Sequence, residues 1–185
     1  MTTAASASPA SGAPAAQDEA GRPVFGLQRI YLKDCSLEAP HVPEIFLESA
    51  EPRLEFQLDT TDRELGGAMV EVAIRCTVTC RVGDRVAFLV EASEAGVFEI
   101  AGVSDEQRVL LKGISCPSIV YPYLRANLAD IVQRASFPPF HLAEINWEAF
   151  FQQKQAHLAQ QGADAAGPGS SEGAARSDSG LILPS

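Results

Sequence analysis

The sequence predicts an α+β fold, a four-stranded antiparallel sheet with two helices packed on one face. Three observations carry that prediction. Apolar residues hold every second position from Val70 to Val82, with Glu71, Arg75, Thr77, Thr79 and Arg81 on the other face, and a second alternating run follows a Gly83-Asp84 turn. Apolar residues spaced three and four apart begin only after Asp105. Strand patterns therefore come first and helix patterns afterwards, which argues against an alternating α/β arrangement.

Val24 to Ser36, with Ile30 and Tyr31, reads as the first strand, ended by Pro40 and Pro43. Leu54, Phe56 and Leu58 alternate with Glu55, Gln57 and Asp59, the pattern of a half-buried strand, and Thr60 to Gly67 reads as a polar connection. Val70, Val72, Ile74, Cys76, Val78, Cys80 and Val82 then share one face of a strand roughly 43 Å long at about 3.3 Å per residue. Val86, Phe88, Val90 and Ala92 run back beside it, Gly96 to Val103 closes the sheet, and a meander is the simplest connectivity.

Asp105 to Ser115 has helical spacing, and Cys116-Pro117 is expected to interrupt it. Tyr121, Leu124, Leu128, Ile131, Val132 and Ala135 form the apolar stripe of an amphipathic helix, with Asp130 and Arg134 one turn apart on its polar side. Phe137-Pro138-Pro139-Phe140 is a stiff connector. Asn146 is the expected N-cap of a last helix carrying Trp147, Phe150, Phe151 and Leu158.

Composition divides the 185 residues into a folded domain over 23–161 between two tails. Residues 1–22 are rich in Ala, Ser and Pro, and residues 162–185 in Gly, Ala and Ser. Neither offers enough apolar side chain to offset chain entropy, so both are expected to be disordered. Leu181, Ile182 and Leu183 are an apolar exception, read as an ordinary tail end rather than a contact point. The first twenty residues lack a basic n-region and an apolar h-region, and no apolar run has the length of a membrane span. The four cysteines form no C-x-x-C pair. A cytoplasmic protein with reduced thiols and no membrane insertion is the expectation. A net charge of −10 disfavours nucleic acid as a partner.

Residues that could carry catalysis do not assemble. No phosphate-binding loop surrounds Gly66-Gly67 or Gly113, which argues against ATP-driven action by this chain. His41, His141 and His157 stand far apart and read as surface or capping residues. Cys76 and Cys80 share a strand face about 13 Å apart, too far to bridge. The expectation is a protein that is not an enzyme and needs no cofactor or metal. Both faces of the hairpin carry apolar groups, Val86, Phe88 and Val90 on one side and Ala87 and Leu89 on the other. Two helices cover only one face, so self-association is expected.

Four stretches in register, QRIYLKDCSLEAP (Gln28 to Pro40), VEVAIRCTVTCRV (Val70 to Val82), AFLVEASEAGVFEIAGV (Ala87 to Val103) and CPSIVYPYLRANLADIVQRASFPPFHLAEINWEAFF (Cys116 to Phe151), resemble the SecB protein-export chaperones over about residues 24–160. The resemblance implies a dimer of dimers, hence a homotetramer. It implies a holdase that binds unfolded preproteins without ATP, keeps them competent for translocation and passes them to SecA. It further implies that the acidic outer face of the sheet docks the basic, zinc-binding C-terminal region of SecA through Asp34, Glu38, Leu89 and Glu91. Client binding in the family uses long apolar grooves, for which Leu54, Phe56, Leu58, Phe137, Phe140 and Phe150 are the candidates here. Ordinary core packing accounts for any one of these six equally well. Ala50 stands where the family commonly has a tryptophan, which implies a shallower groove wall. A SecB-like chaperone dedicated to a toxin–antitoxin pair is the alternative, and the four docking residues favour export.

Overall fold

The computed structural model describes residues 22–165 and 181–182. The expected N-terminal tail and most of the C-terminal one lie outside the described residues. Four long strands make one antiparallel sheet: β1 (Val24–Glu38), β2 (Pro52–Gly66), β3 (Met69–Val82) and β4 (Arg85–Ala101). Their order across the sheet is β1-β4-β3-β2. The strands β2, β3 and β4 are successive hairpins, but β1 lies beside β4, so the connectivity is a Greek key and not the expected meander. Alternation specifies strands and leaves their neighbours open. Here the segment after β1 crosses the end of the sheet through a short 3₁₀ turn, Glu44–Leu47. His41 Nδ1 lies 2.9 Å from the Val86 carbonyl oxygen and ties this crossing to the start of β4.

Two strands are longer than alternation indicated. Thr60 to Gly66 continues β2 and is not a connection: Asp62 pairs with Val72 and Arg63 with Glu71. An edge strand needs no apolar face there, because the backbone ladder and ion pairs hold it. Likewise β4 passes through Gly96 as one strand of 17 residues. A Cβ at Gly96 would stand 2.6 Å from the Phe98 ring and 3.0 Å from Val120, so glycine there permits close approach of the helix layer.

The helical layer begins at α1 (Asp105–Leu110), where Ser104 and Gln107 form a reciprocal capping box. A π turn over Leu111–Ser115 leads into α2 (Cys116–Arg134). Contrary to expectation, Cys116-Pro117 does not interrupt the helix. The Cys116 N–H donates to the Leu111 carbonyl in the wider π pattern. Pro117 takes the first turn of α2, where a missing N–H costs little. Segments α1 and α2 thus form one continuous rod. A Cβ at Gly113, inside the π turn, would stand 2.2 Å from the Phe151 ring. Glycine here lets α3 (Trp147–Ala165) pack against the turn. Asn146 caps α3 as expected, its Oδ1 accepting from the Ala149 N–H at 3.0 Å. Helix α3 runs past the expected boundary at residue 161.

The core lies between the sheet and α2. Val70, Ile74, Cys76 and Val78 of β3, Phe88, Val90 and Phe98 of β4, and Val120, Leu124, Leu128 and Val132 of α2 are all buried. Cys35, Cys76, Cys80 and Cys116 are free thiols. Burial pushes the Cys76 and Cys116 thiols up to about 12, which suits packing and not nucleophilic chemistry. Glu94, only 2% exposed, faces α2 and accepts from the Asn127 amide at 2.6 Å. Burial raises its pKa, and the Asn127 bond partly offsets the rise.

Strand β1 carries two bulges, between Leu27 and Arg29 and between Leu32 and Asp34. Each inserts one residue and reverses which face the following side chains occupy. Tyr31, opposite Ala95, lies on the helix-free face. After the second bulge that face takes Asp34, opposite Ser93, and Glu38, opposite Leu89. Cys35 and Leu37 turn to the core side instead, where they pack against the buried cluster.

Candidate functional site

Two apolar cavities open along the edge of the sheet between β2 and the segments that follow α2. The first, about 440 Å³, is lined by Phe46, Leu54, Val82, Phe88, Phe137 and Phe140, with Ala50 at its wall. Stacked and tilted rings hold its floor: Phe137 lies 4.9 Å from Phe88 and 5.1 Å from Phe46, centroid to centroid. The second, about 260 Å³, lies between Phe56, Tyr121, Ile145 and Phe150. Its wall is built by the connector, which is fixed where the Tyr121 hydroxyl donates to the Ala143 carbonyl at 2.7 Å. Trp147 packs edge-on against both Tyr121 and Phe150.

Alternation places Leu54, Phe56 and Leu58 on the same face of β2, opposite Cys80, Val78 and Cys76. Leu54 is 40% exposed and Phe56 half-buried, whereas Leu58 is 1% exposed and lines neither cavity. Phe137 and Phe150 are buried walls, and Phe140 is half-buried at the rim of the first cavity. Sequence reasoning missed Ile45 and Phe46, which line the first cavity beside the candidates. Their signal was present as the apolar triplet Ile45-Phe46-Leu47 after Pro43-Glu44, a run with no strand or helix period to justify it. Leu47 is 86% exposed.

The opposite, helix-free face gathers the charged candidates. Glu38 faces Leu89 directly across the β1–β4 ladder, and Asp34 stands four residues away, about 14 Å along the strand. Glu91, opposite Ser36, completes one patch. Arg75 pairs with Glu91 Oε1 at 3.4 Å, and the Thr77 hydroxyl donates to its Oε2 at 3.1 Å. Asp34 and Glu38 are exposed and make no ion pair among the described residues. Two free carboxylates beside a half-buried leucine can attract a basic segment and give it an apolar contact.

Farther along the same face, Glu71 accepts from the Tyr31 hydroxyl and the Lys33 ammonium, with Arg63 Nη2 at 3.2 Å. These bonds, led by Lys33, lower the Glu71 carboxyl to about 2. The same Glu71 bond raises the Tyr31 hydroxyl. Glu71 is 5% exposed because those side chains lie over it, not because it sits deep in the fold.

The family model for preprotein translocase subunit SecB matches residues 18–158, spanning all four long strands, the α1–α2 rod and most of α3. The chain belongs to the SecB family. Protein-export protein SecB of Janthinobacterium sp. (strain Marseille) is 51% identical over 147 residues, covering 80% of this chain and 90% of that protein. SecB of Burkholderia multivorans is 51% identical over 150 residues, 81% of this chain and 94% of the relative. SecB of Herminiimonas arsenicoxydans is 48% identical over 167 residues, covering 90% and 94%. Among solved structures, a Mycobacterium tuberculosis SecB-like chaperone in complex with an antitoxin peptide aligns with a TM-score of 0.56 at 15% identity. That match covers 65% of this chain and 90% of the other and speaks to the fold alone. SecB is a family of protein-export chaperones, not of enzymes. Among the described residues no cluster of His, Cys, Asp or Glu is placed to hold a metal ion, and no helix is long and apolar enough to cross a membrane.

Proposed function

We propose that this SecB-family chain is an ATP-independent cytoplasmic holdase for unfolded secretory precursors, which it delivers to SecA. The observation that carries the reading is the division of labour between the two faces of one sheet. Apolar cavities open on the side that bears the helices, and the unpaired carboxylates lie on the other side. An unfolded segment entering the cavities gives up roughly 25 cal/mol for each Å² of apolar surface removed from water, and several weak contacts on one chain add by multivalency. Leu54, Phe56, Phe137, Phe140 and Phe150 supply that surface, and Leu58 supports the wall from the core. Ala50 leaves the first cavity more open than a tryptophan would.

The patch of Asp34, Glu38, Leu89 and Glu91 fits the basic, zinc-binding C-terminal region of SecA. The export names of the relatives support this role over a chaperone reserved for a toxin–antitoxin pair. A homotetramer, a dimer of dimers, fits the exposed Phe25, Leu27 and Leu32 along β1, whose outer edge has no strand partner among the described residues. The test is a titration of the SecA C-terminal region against the wild type and Glu38→Arg. Binding is expected to weaken at least tenfold in the variant, while both proteins slow the refolding of a denatured precursor. Unchanged SecA binding defeats the docking assignment, and failure of both proteins to slow refolding defeats the holdase reading.

A further inference from the structure

The outer side of β2 is the second open edge of the sheet, and a segment of this chain already lies on it. Leu181 and Ile182, as β5, pair antiparallel with Leu58 and Gln57. This point on β2 directly follows Phe56, which lines the second cavity, and lies three to four residues from Leu54, which lines the first. We infer that the C-terminal Leu181-Ile182 segment is a built-in competitor that occupies the β2 edge beside the second cavity and must leave before an extended client seated in the cavities can continue along that edge. The inference rests on the client-groove reading above and adds an intramolecular occupant to it.

Three features favour this occupant. Leu181-Ile182-Leu183 is the only run of three large aliphatic residues after Ala165, set in a stretch otherwise dominated by Gly, Ala, Ser and charged residues. Reach is sufficient. Lys154 Nζ bonds Asp59 Oδ1 at 2.6 Å, so that turn of α3 is level with the middle of β2. Ala165 lies eleven residues farther, about 17 Å along the helix. Residues 166–180 could span about 50 Å if extended, ample to return to Gln57. The family match ends at residue 158, so the segment lies outside the matched residues, and its removal takes away β5 while leaving the four long strands and the core cluster in place.

Main-chain pairing at a sheet edge makes little demand on sequence, and that suits both a promiscuous client and a tail that imitates one. A two-residue pairing is weak by itself. Tethering supplies an effective concentration in the millimolar range, enough to compete with clients and not enough to exclude them. With an intrinsic affinity also near millimolar, the tail weakens client binding by about two- to tenfold.

The experiment compares the full chain, Ile182→Pro and a chain ending at Gly180. Proline at 182 removes the backbone N–H and disfavours pairing. Affinity is measured by anisotropy with reduced, carboxymethylated α-lactalbumin as a permanently unfolded probe, and hydrogen exchange is followed across 52–66. Both variants are expected to bind the probe two- to tenfold more tightly and to exchange faster at 56–59. The peptide Gly-Leu-Ile-Leu-Pro-Ser, added in millimolar excess to the shortened chain, is expected to reverse both effects. Unchanged or weaker probe binding by the shortened chain, or unchanged exchange, overturns the inference. If no form binds the probe, the holdase reading fails, and the exchange comparison still tests the pairing by itself.

Discussion

Replacing Glu71 by glutamine removes one charge from the helix-free face while keeping the side chain's shape. In the native protein the carboxylate is held by Lys33, Tyr31 and Arg63, with its pKa lowered from 4.5 to about 2. A shift of that size corresponds to a ceiling of about 3.4 kcal/mol at 1.36 kcal/mol per unit. Lys33 and Arg63 are 43% and 66% exposed, so water screens both pairs, and about 1–2 kcal/mol is the expected share. Because the folded-state pKa is depressed, the stabilisation is complete above pH 4.5. It disappears as the pH falls from 4.5 through about 2, when the folded carboxylate takes up its proton. Urea unfolding followed by Trp147 fluorescence, at one fixed protein concentration, measures this for wild type and Glu71→Gln. The variant should be about 1–2 kcal/mol less stable at pH 7, with the gap closing toward pH 2.5. A gap of the same size at both pH values would refute the assignment, since a purely steric defect does not titrate.

Two further changes test the helical layer. Gly113→Ala should destabilise the protein by about 1–3 kcal/mol because its Cβ meets the Phe151 ring. In a Phe151→Ala background the same change should be neutral or stabilising, since alanine is the better helix former, and urea unfolding of the four proteins reads the difference. Ser136 ends α2 with φ of +66°, and the Phe137 N–H donates to the Val132 carbonyl in a Schellman-type turn. Ser136→Gly should therefore raise stability by about 0.5–1 kcal/mol, seen as a higher melting temperature.

The parts legible in the sequence were those in which one face is apolar and the other polar. β3 carries apolar residues at every second position because β4 and β2 flank it and α2 covers one side, and its burial follows that pattern except at Glu71 and Ala73, which are buried on the helix-free face. The α2 stripe was legible for the same reason: Tyr121, Leu124, Leu128 and Val132 are all buried. The second half of β2 was hidden because Thr61 to Leu65 are exposed and held by backbone pairing, with Lys112 and Arg108 reaching Asp62 and Glu64. Pro117 read as a break because propensity cannot register the π turn that accommodates it. The grooves were legible only in part. Alternation put Leu54, Phe56 and Leu58 on one face, but which of them stays accessible depends on where the connector crosses. Ile45 and Phe46 come from a crossing segment with no period to betray it.

The inserted residue at Lys33 gives β1 something like a change of reading frame. A strand spells two messages, one for each side, in alternate letters. Leaving out one letter exchanges the messages from that point onward. With a continuous frame, Asp34 and Glu38 would be turned beneath the helices, and Cys35 and Leu37 would be turned toward water. The single slip lets the first half of the strand contribute Tyr31 to the Glu71 cluster and the second half present two acidic groups on the same side. Whether a basic partner has anything to meet there is decided by that one extra residue as much as by the carboxylates themselves.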